Sequence, residues 1–327
     1  MSTRRFLLSG ILAILVFSNA ACSNPASSPL FTGPSDESPS TDVAAPSVDD
    51  VLARESGRER IVYHVGPVDL PAGTKAEAML DRPLSMRFQT DKPIWVTGFV
   101  PKVVNSNGGE LPTELLHHAI VFNMHEENAL CAGTPNPFLV AGSMMTEVEL
   151  PQGFGYPVLP TDPIEAKVVL ENPTETDYAD VFFEFTLVTK PMSDLAEVKD
   201  VKPVLVELEP CTHAAMQVEP RAFVKKNAAY QVPVTGSLVA ANGILQNFGS
   251  ALELTARDEL IPFWRAEGVQ DENRRVVALT DNPFMDPEGP GFKAGDKIVF
   301  SASYDNSSDG WLDGASAAAM VYLAPND

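Results

Sequence analysis

Two of the five histidines in this chain are adjacent: His117 and His118 head the apolar run Leu115-Leu116-His117-His118-Ala119-Ile120-Val121-Phe122-Asn123. Imidazole nitrogens are common metal ligands, so a vicinal pair entering a buried strand points to a bound ion. Successive side chains of a strand face opposite ways, so the two rings can meet one ion only where the strand bulges or twists. Residues able to complete such a site are Glu171, Met124, His125 and His213. The thioether of Met124 suits Cu(I). His64 and His213 read as surface or satisfied core histidines. The competing reading of the pair is packing and hydrogen bonding between sheets. The sequence contains no G-x-S-x-G, H-E-x-x-H, phosphate loop or C-x-x-C pair. Hydrolase and nucleotide chemistry therefore lack the residues they need.

The elements that must position these residues are strands. From residue 60, β-branched and aromatic residues alternate with polar ones, and Pro, Gly, Asn and Asp punctuate the runs. The pattern predicts strands at 60–65, 84–89, 94–100, 116–124, 145–150, 165–170, 180–188 and 201–209. A second series follows at 229–234, 236–241, 250–256, 276–279, 297–304 and 317–323. Helical periodicity is weak throughout. Short, evenly spaced strands predict an all-β fold of two tandem antiparallel β-sandwich, jelly-roll-like domains. Residues 59–205 form the first, with the His-His strand, and 206–327 the second. Turns are expected at Asn105-Ser106-Asn107-Gly108-Gly109 and at 293–297. The acidic loop 304–310 lacks the spacing of a calcium loop and reads as solvated.

Acidic residues outnumber basic ones by 44 to 23, which excludes nucleic acid as a partner because phosphate binding needs clustered Lys and Arg. The N-terminus reads as an address. Arg4 and Arg5 precede an apolar stretch at 6–17 that is too short to span a bilayer as a mature helix. Ser18-Asn19-Ala20-Ala21-Cys22 resembles a bacterial lipoprotein signal (residues 1–22) in which Cys22 is lipidated. Asn19 replaces the usual Leu, so ordinary cleavage after Ala20 or Ala21 is the alternative. Residues 23–58 are rich in Pro, Ser and Asp and read as a disordered tether. The expected place is the bacterial cell envelope, periplasm or outer-membrane face, with the membrane as partner through the lipid. Cys131 and Cys211 then remain, either as a disulfide or as two buried thiols.

Four stretches carry a family resemblance. They are Ile94-Trp95-Val96-Thr97-Gly98-Phe99 followed by the His117-His118 strand; Leu150-Pro151-Gln152-Gly153-Phe154-Gly155 with 166–173; 236–254; and 294–306 with the end at Pro325. In order and spacing they resemble the copper type II, ascorbate-dependent monooxygenases, the family of peptidylglycine α-hydroxylating and dopamine β-monooxygenase. The resemblance covers residues 60–327 and implies two copper ions. One is held by three histidines in the first domain. The other, where O₂ reacts, is held by an H-x-H pair and a methionine in the second.

Carried over by position, His117 and His118 match the first site, and its third ligand falls on Val169 or Glu171. The second-site ligands fall on Ile244, Gln246 and Ser316, and Met320 reads as core. Redox-cycling copper needs imidazole or thioether donors, which these second-site residues do not supply. The resemblance thus implies a scaffold whose oxygen-activating site is lost, with at most one copper ion on His117 and His118 and a third ligand from Glu171 or Met124. Three functions follow: a tethered, non-catalytic binding protein for a small molecule, peptide or protein; a copper oxidoreductase with rearranged ligands; or a copper-holding lipoprotein. The first is expected.

Overall fold

The computed structural model describes residues 57–80, 82–193, 198–212, 214–257 and 259–326. These belong to a unit spanning Pro46–Asp327. Cys22 and His213 lie outside the described residues.

The first half contains β1 (Glu59–Leu70), the four-residue helix α1 (Glu77–Leu80), β2 (Leu84–Phe88), β3 (Ile94–Val104), β4 (Leu116–Glu127) and β5 (Pro135–Gly142). It continues with β6 (Val148–Glu149), β7 (Phe154–Val158), β8 (Ile164–Leu170), β9 (Tyr178–Pro191) and β10 (Lys199–Asp200). The second half begins with β11 (Lys202–Glu207), β12 (Met216–Val218), β13 (Ala222–Gln231), β14 (Gly236–Leu245), β15 (Gly249–Ala256) and β16 (Trp264–Gln270). It ends with β17 (Val276–Leu279), β18 (Phe284–Met285), β19 (Gly291–Phe292), β20 (Lys297–Asn306), β21 (Leu312–Ala315) and β22 (Ala317–Pro325).

The fold is all-β and built from antiparallel sandwiches. In the first half, the sheet β1-β9-β3-β7-β10 faces the sheet β2-β8-β4-β5. In the second, β11-β22-β14-β18 faces β13-β20-β15-β16-β17. Only the short β10–β7 contact is parallel among these pairings. The sheets exchange no strand between halves, yet the first core cluster takes in Ala240, Ala318, Met320 and Tyr322 from the second half. The reason is visible in two strands. All of β22 except its last residue is buried, and β14 is buried at all but two positions. A sheet covered on one face alternates buried and exposed residues, whereas one covered on both reads as a continuous apolar run. The β11-β22-β14-β18 sheet is therefore a wall shared by both cores. Its alanines alternate between the two cores, Ala318 in the first and Ala317 and Ala319 in the second.

Polar groups fix this seam. Asn242 Nδ2 donates to the Val140 carbonyl at 3.0 Å, and the Tyr322 hydroxyl donates to that of Phe138 at 3.0 Å. Asn282 Nδ2 reaches Thr146 Oγ1 at 3.1 Å, and Arg275 pairs with Glu114 at 3.0 Å. Cys131 and Cys211 form a disulfide with Cα atoms 5.5 Å apart.

One corner is built twice. The Asn172 amide, fully buried after β8, donates to the carbonyls of Leu70 and Thr176, and its oxygen accepts from Thr174 N and Oγ1. Asn306, fully buried at the end of β20, donates to Val218, Glu219 and Gly310 and accepts from Ser308 N and Oγ. Each corner is met by a residue in left-handed conformation whose N–H bonds into the loop. Gly73 (φ +73°) donates to Thr174, and Arg221 (φ +59°) donates to Ser308, both at 3.2 Å. The loop 304–310, expected to be solvated, is thus organised around a buried amide.

Candidate functional site: a cavity between the two sandwiches

The strand carrying the histidines bulges where the pair requires it. On β8, Leu170 pairs with Leu116 and the next residue, Val169, pairs with His118, so His117 is the extra residue. The second half repeats the irregularity: Tyr304 pairs with Gly249, Ser303 with Ala251, and Ser250 is skipped. The bulge is therefore a property of this fold's corner, and the histidines occupy one of its two copies. It turns both rings to one side, with His117 Nδ1 and His118 Nδ1 2.7 Å apart. At that distance one ring donates a hydrogen bond and the other accepts it. Burial pulls the His117 imidazole below its ordinary range, and the Glu77 carboxylate opposes the shift.

Beside the rings lies a cavity of about 270 Å³. The first half contributes His117, His118, Ile120, Val140 and the rim formed by Glu77 and Leu80 of α1. The second half contributes Leu205, Ile244, Gln246, Ser316 and Ala318. Ile244, Gln246 and Ser316, distant in sequence, converge because β14 pairs with β22, Ile244 facing Ala318. Gln246 N–H donates to the Ser316 carbonyl at 3.1 Å, and Gln246 Nε2 donates to the His117 carbonyl at 3.2 Å. Gly142, opposite His118 on β5, leaves the room that Ile244 takes: a Cβ there would stand 3.0 Å from the Ile244 side chain. Three glutamates, Glu77, Glu207 and Glu209, reach the wall, and no Lys or Arg does so among the described residues. Glu209 is paired with Lys226.

The remaining candidates lie elsewhere. Met124 is six residues beyond His118 on β4, about 20 Å at strand rise, and cannot share an ion with it. His125 Nδ1 bonds Asp162 Oδ1 at 3.1 Å, and His64 Nε2 bonds Glu184 Oε2 at 2.8 Å. Glu171 opens into a separate hollow with Glu114 and Arg275. Burial, with Glu77 nearby, pushes its carboxyl up to about 7 against the opposing charge of Arg275. Val169 is buried in β8 and offers no donor.

As arranged, the two imidazoles are a pair of donors with no third among the described residues. An ion at about 2.0–2.1 Å from two imidazole nitrogens holds them roughly 3.3 Å apart in tetrahedral geometry and about 2.9 Å apart in square-planar geometry, so the hydrogen-bonded pair, at 2.7 Å, must part to take one. Among the described residues no group of three or more His, Cys, Asp or Glu side chains is placed to share an ion. What the arrangement can do is enclose a compact, largely apolar molecule and offer it hydrogen-bonding groups. The wall residues Val140, Leu205 and Ala318 carry no sequence signal of a site. The only hint is the unbroken apolar character of their strands.

No protein-family model matches the chain, and no curated protein matches it. Among solved structures, PNGase F, a glycosylasparaginase from Flavobacterium meningosepticum, is similar at 11% identity and a TM-score of 0.39, over 82% of this chain and 97% of that one. The major capsid protein P2 of bacteriophage PM2 is similar at 8% identity and a TM-score of 0.33, over 82% and 98%. A chain of Sulfolobus turreted icosahedral virus is similar at 10% identity and a TM-score of 0.33, over 82% and 91%. Likenesses at these values bear on no question of function.

Proposed function

We propose that this protein is a non-catalytic binding protein, exported and tethered to a membrane through lipidated Cys22, built on a scaffold resembling the copper type II monooxygenases. Its ligand is a compact molecule without negative charge, held between the two sandwiches. One observation carries the reading: Ile244, Gln246 and Ser316, which replace the donors of an oxygen-activating copper, line the same cavity as His117 and His118. An apolar cavity of about 150 Å³ holds a benzene-sized molecule, so this one suits roughly eight to twelve non-hydrogen atoms. The glutamates and the lack of wall cations disfavour a carboxylate or phosphate. Matched cyclohexyl probes ending in a hydroxyl, an ammonium or a carboxylate test this by calorimetry. The first two should bind and the carboxylate should not, and Ser316→Phe, which fills the cavity, should abolish binding without unfolding the protein. Stoichiometric copper in both halves, or ascorbate-dependent O₂ consumption that stops in His118→Ala, overturns the proposal.

A second reading rests on the bulge that brings the two imidazoles together: a copper-holding protein with one ion on His117 and His118. It requires the rings to part and a third donor to arrive. One copper per chain, lost in the His117→Ala/His118→Ala double variant, would establish it.

A further inference from the structure

The cavity wall on the second-half side includes a segment that belongs to no sheet. β11 ends at Glu207 and β12 begins at Met216. Between them Leu208, Glu209, Ala214 and Ala215 face the cavity, with Cys211 in the middle. Buried Leu208 seats its start in the second core, and beyond it the main-chain and hydroxyl hydrogen bonds of the described residues run within the segment. Leu208 N–H donates to the Ala317 carbonyl at 3.3 Å, Thr212 N–H and Oγ1 to that of Glu209 at 3.3 and 3.2 Å, Ala214 N–H to Thr212 Oγ1 at 3.4 Å, and Glu209 pairs with half-buried Lys226. Cys211 is exposed and sits in the left-handed region (φ +62°).

The other end of the disulfide is held firmly. Cys131 lies in a tight turn between β4 and β5. Asn128 Oδ1 accepts from Leu130 N at 2.9 Å and from Cys131 N at 3.3 Å. Thr134 N donates to the Cys131 carbonyl at 3.2 Å, and Gly133 N to Glu127 Oε1 at 2.8 Å. The bond therefore ties a wall segment that lies outside the sheets of one sandwich to a stiff turn of the other.

We propose that the Cys131–Cys211 disulfide is the anchor that sets the cavity wall, so that its reduction by a dithiol releases the wall and weakens ligand binding while the sheets stay folded. The step breaks one S–S bond. Two electrons and two protons pass from the dithiol, leaving two cysteine thiols on this chain and a disulfide on the reductant. The exposed Cys211 gives an attacking thiolate access. What the wall does for a ligand rests on the binding reading above; whether it is anchored does not.

Hydrogen exchange of the full chain, oxidised, dithiothreitol-treated and as Cys131→Ser/Cys211→Ser, separates the two. Peptides covering 208–216 should exchange at least tenfold faster without the disulfide, while 116–127 and 317–325 keep their protection. The affinity of cyclohexylmethanol, the neutral probe, should fall at least fivefold. Unchanged exchange in 208–216 overturns the inference, as does loss of protection in every sheet at once, which would make the bond a general stabiliser. A wall released on reduction in a protein that binds no probe when oxidised supports the anchor and sinks the binding reading.

Discussion

His117 and His118 share a hydrogen bond on a bulge, and Glu171, their nearest acidic candidate in sequence register, faces a different hollow. Its titration gives a signed expectation. With a folded value near 7 and an ordinary carboxyl value when unfolded, the folded state binds more protons between about pH 4.5 and 7. Stability contributed by this group should therefore fall as pH rises across that window, and the full penalty, on the order of 3 kcal/mol, should apply above it. His117 works in the opposite sense: its depressed value weakens the fold as pH drops below the ordinary imidazole range. Glu171→Gln should raise the denaturation midpoint at pH 8 and leave it nearly unchanged at pH 5; equal shifts at both would refute the assignment. Ile244, Gln246 and Ser316 could be picked out as site positions only through the family resemblance. That they open on the same cavity as the histidines could not, because it depends on how β14 and β22 pair and on the room left at Gly142.

At the scale of elements, the twin corners set the geometry of both halves. Asn172 and Asn306 each close a loop with buried hydrogen bonds, so Asn172→Ala and Asn306→Ala should each cost roughly 2–4 kcal/mol by leaving backbone groups unsatisfied. Urea unfolding of both variants checks this, and a loss below about 0.5 kcal/mol in either would show that water replaces the amide there. Strands with clean alternation or β-branched runs, such as β2, β8 and β20, were legible in the sequence. β5 was hidden by Pro135 and Pro137, β7 by Gly155 and Pro157, and β16 by Gly268 among charges. β13 begins at Ala222, well before the expected 229, because Lys225, Lys226 and Asn227 mask its alternation. In each case pairing to a neighbouring strand outweighs local preference.

At the scale of the whole molecule, the shared wall makes one body of two sandwiches. Calorimetry should show a single unfolding transition, since neither core can lose the β11-β22-β14-β18 sheet without exposing the other; two resolved transitions would contradict this. The twofold division was visible in strand spacing, but the common wall was not, because an alanine-rich run such as Ala317-Ala318-Ala319 gives no periodic signal of what covers it. The pairings also carry a consequence in time. Glu59 pairs with Thr189, Lys202 with Leu323, and Ala222 with Asn306, so both halves close through strands far apart along the chain. Such topologies fold in roughly milliseconds to seconds rather than microseconds. Closing those loops is slow, and once the last pairing forms, opening must undo many strands together. Persistence among proteases would then be governed by how rarely the sheets open.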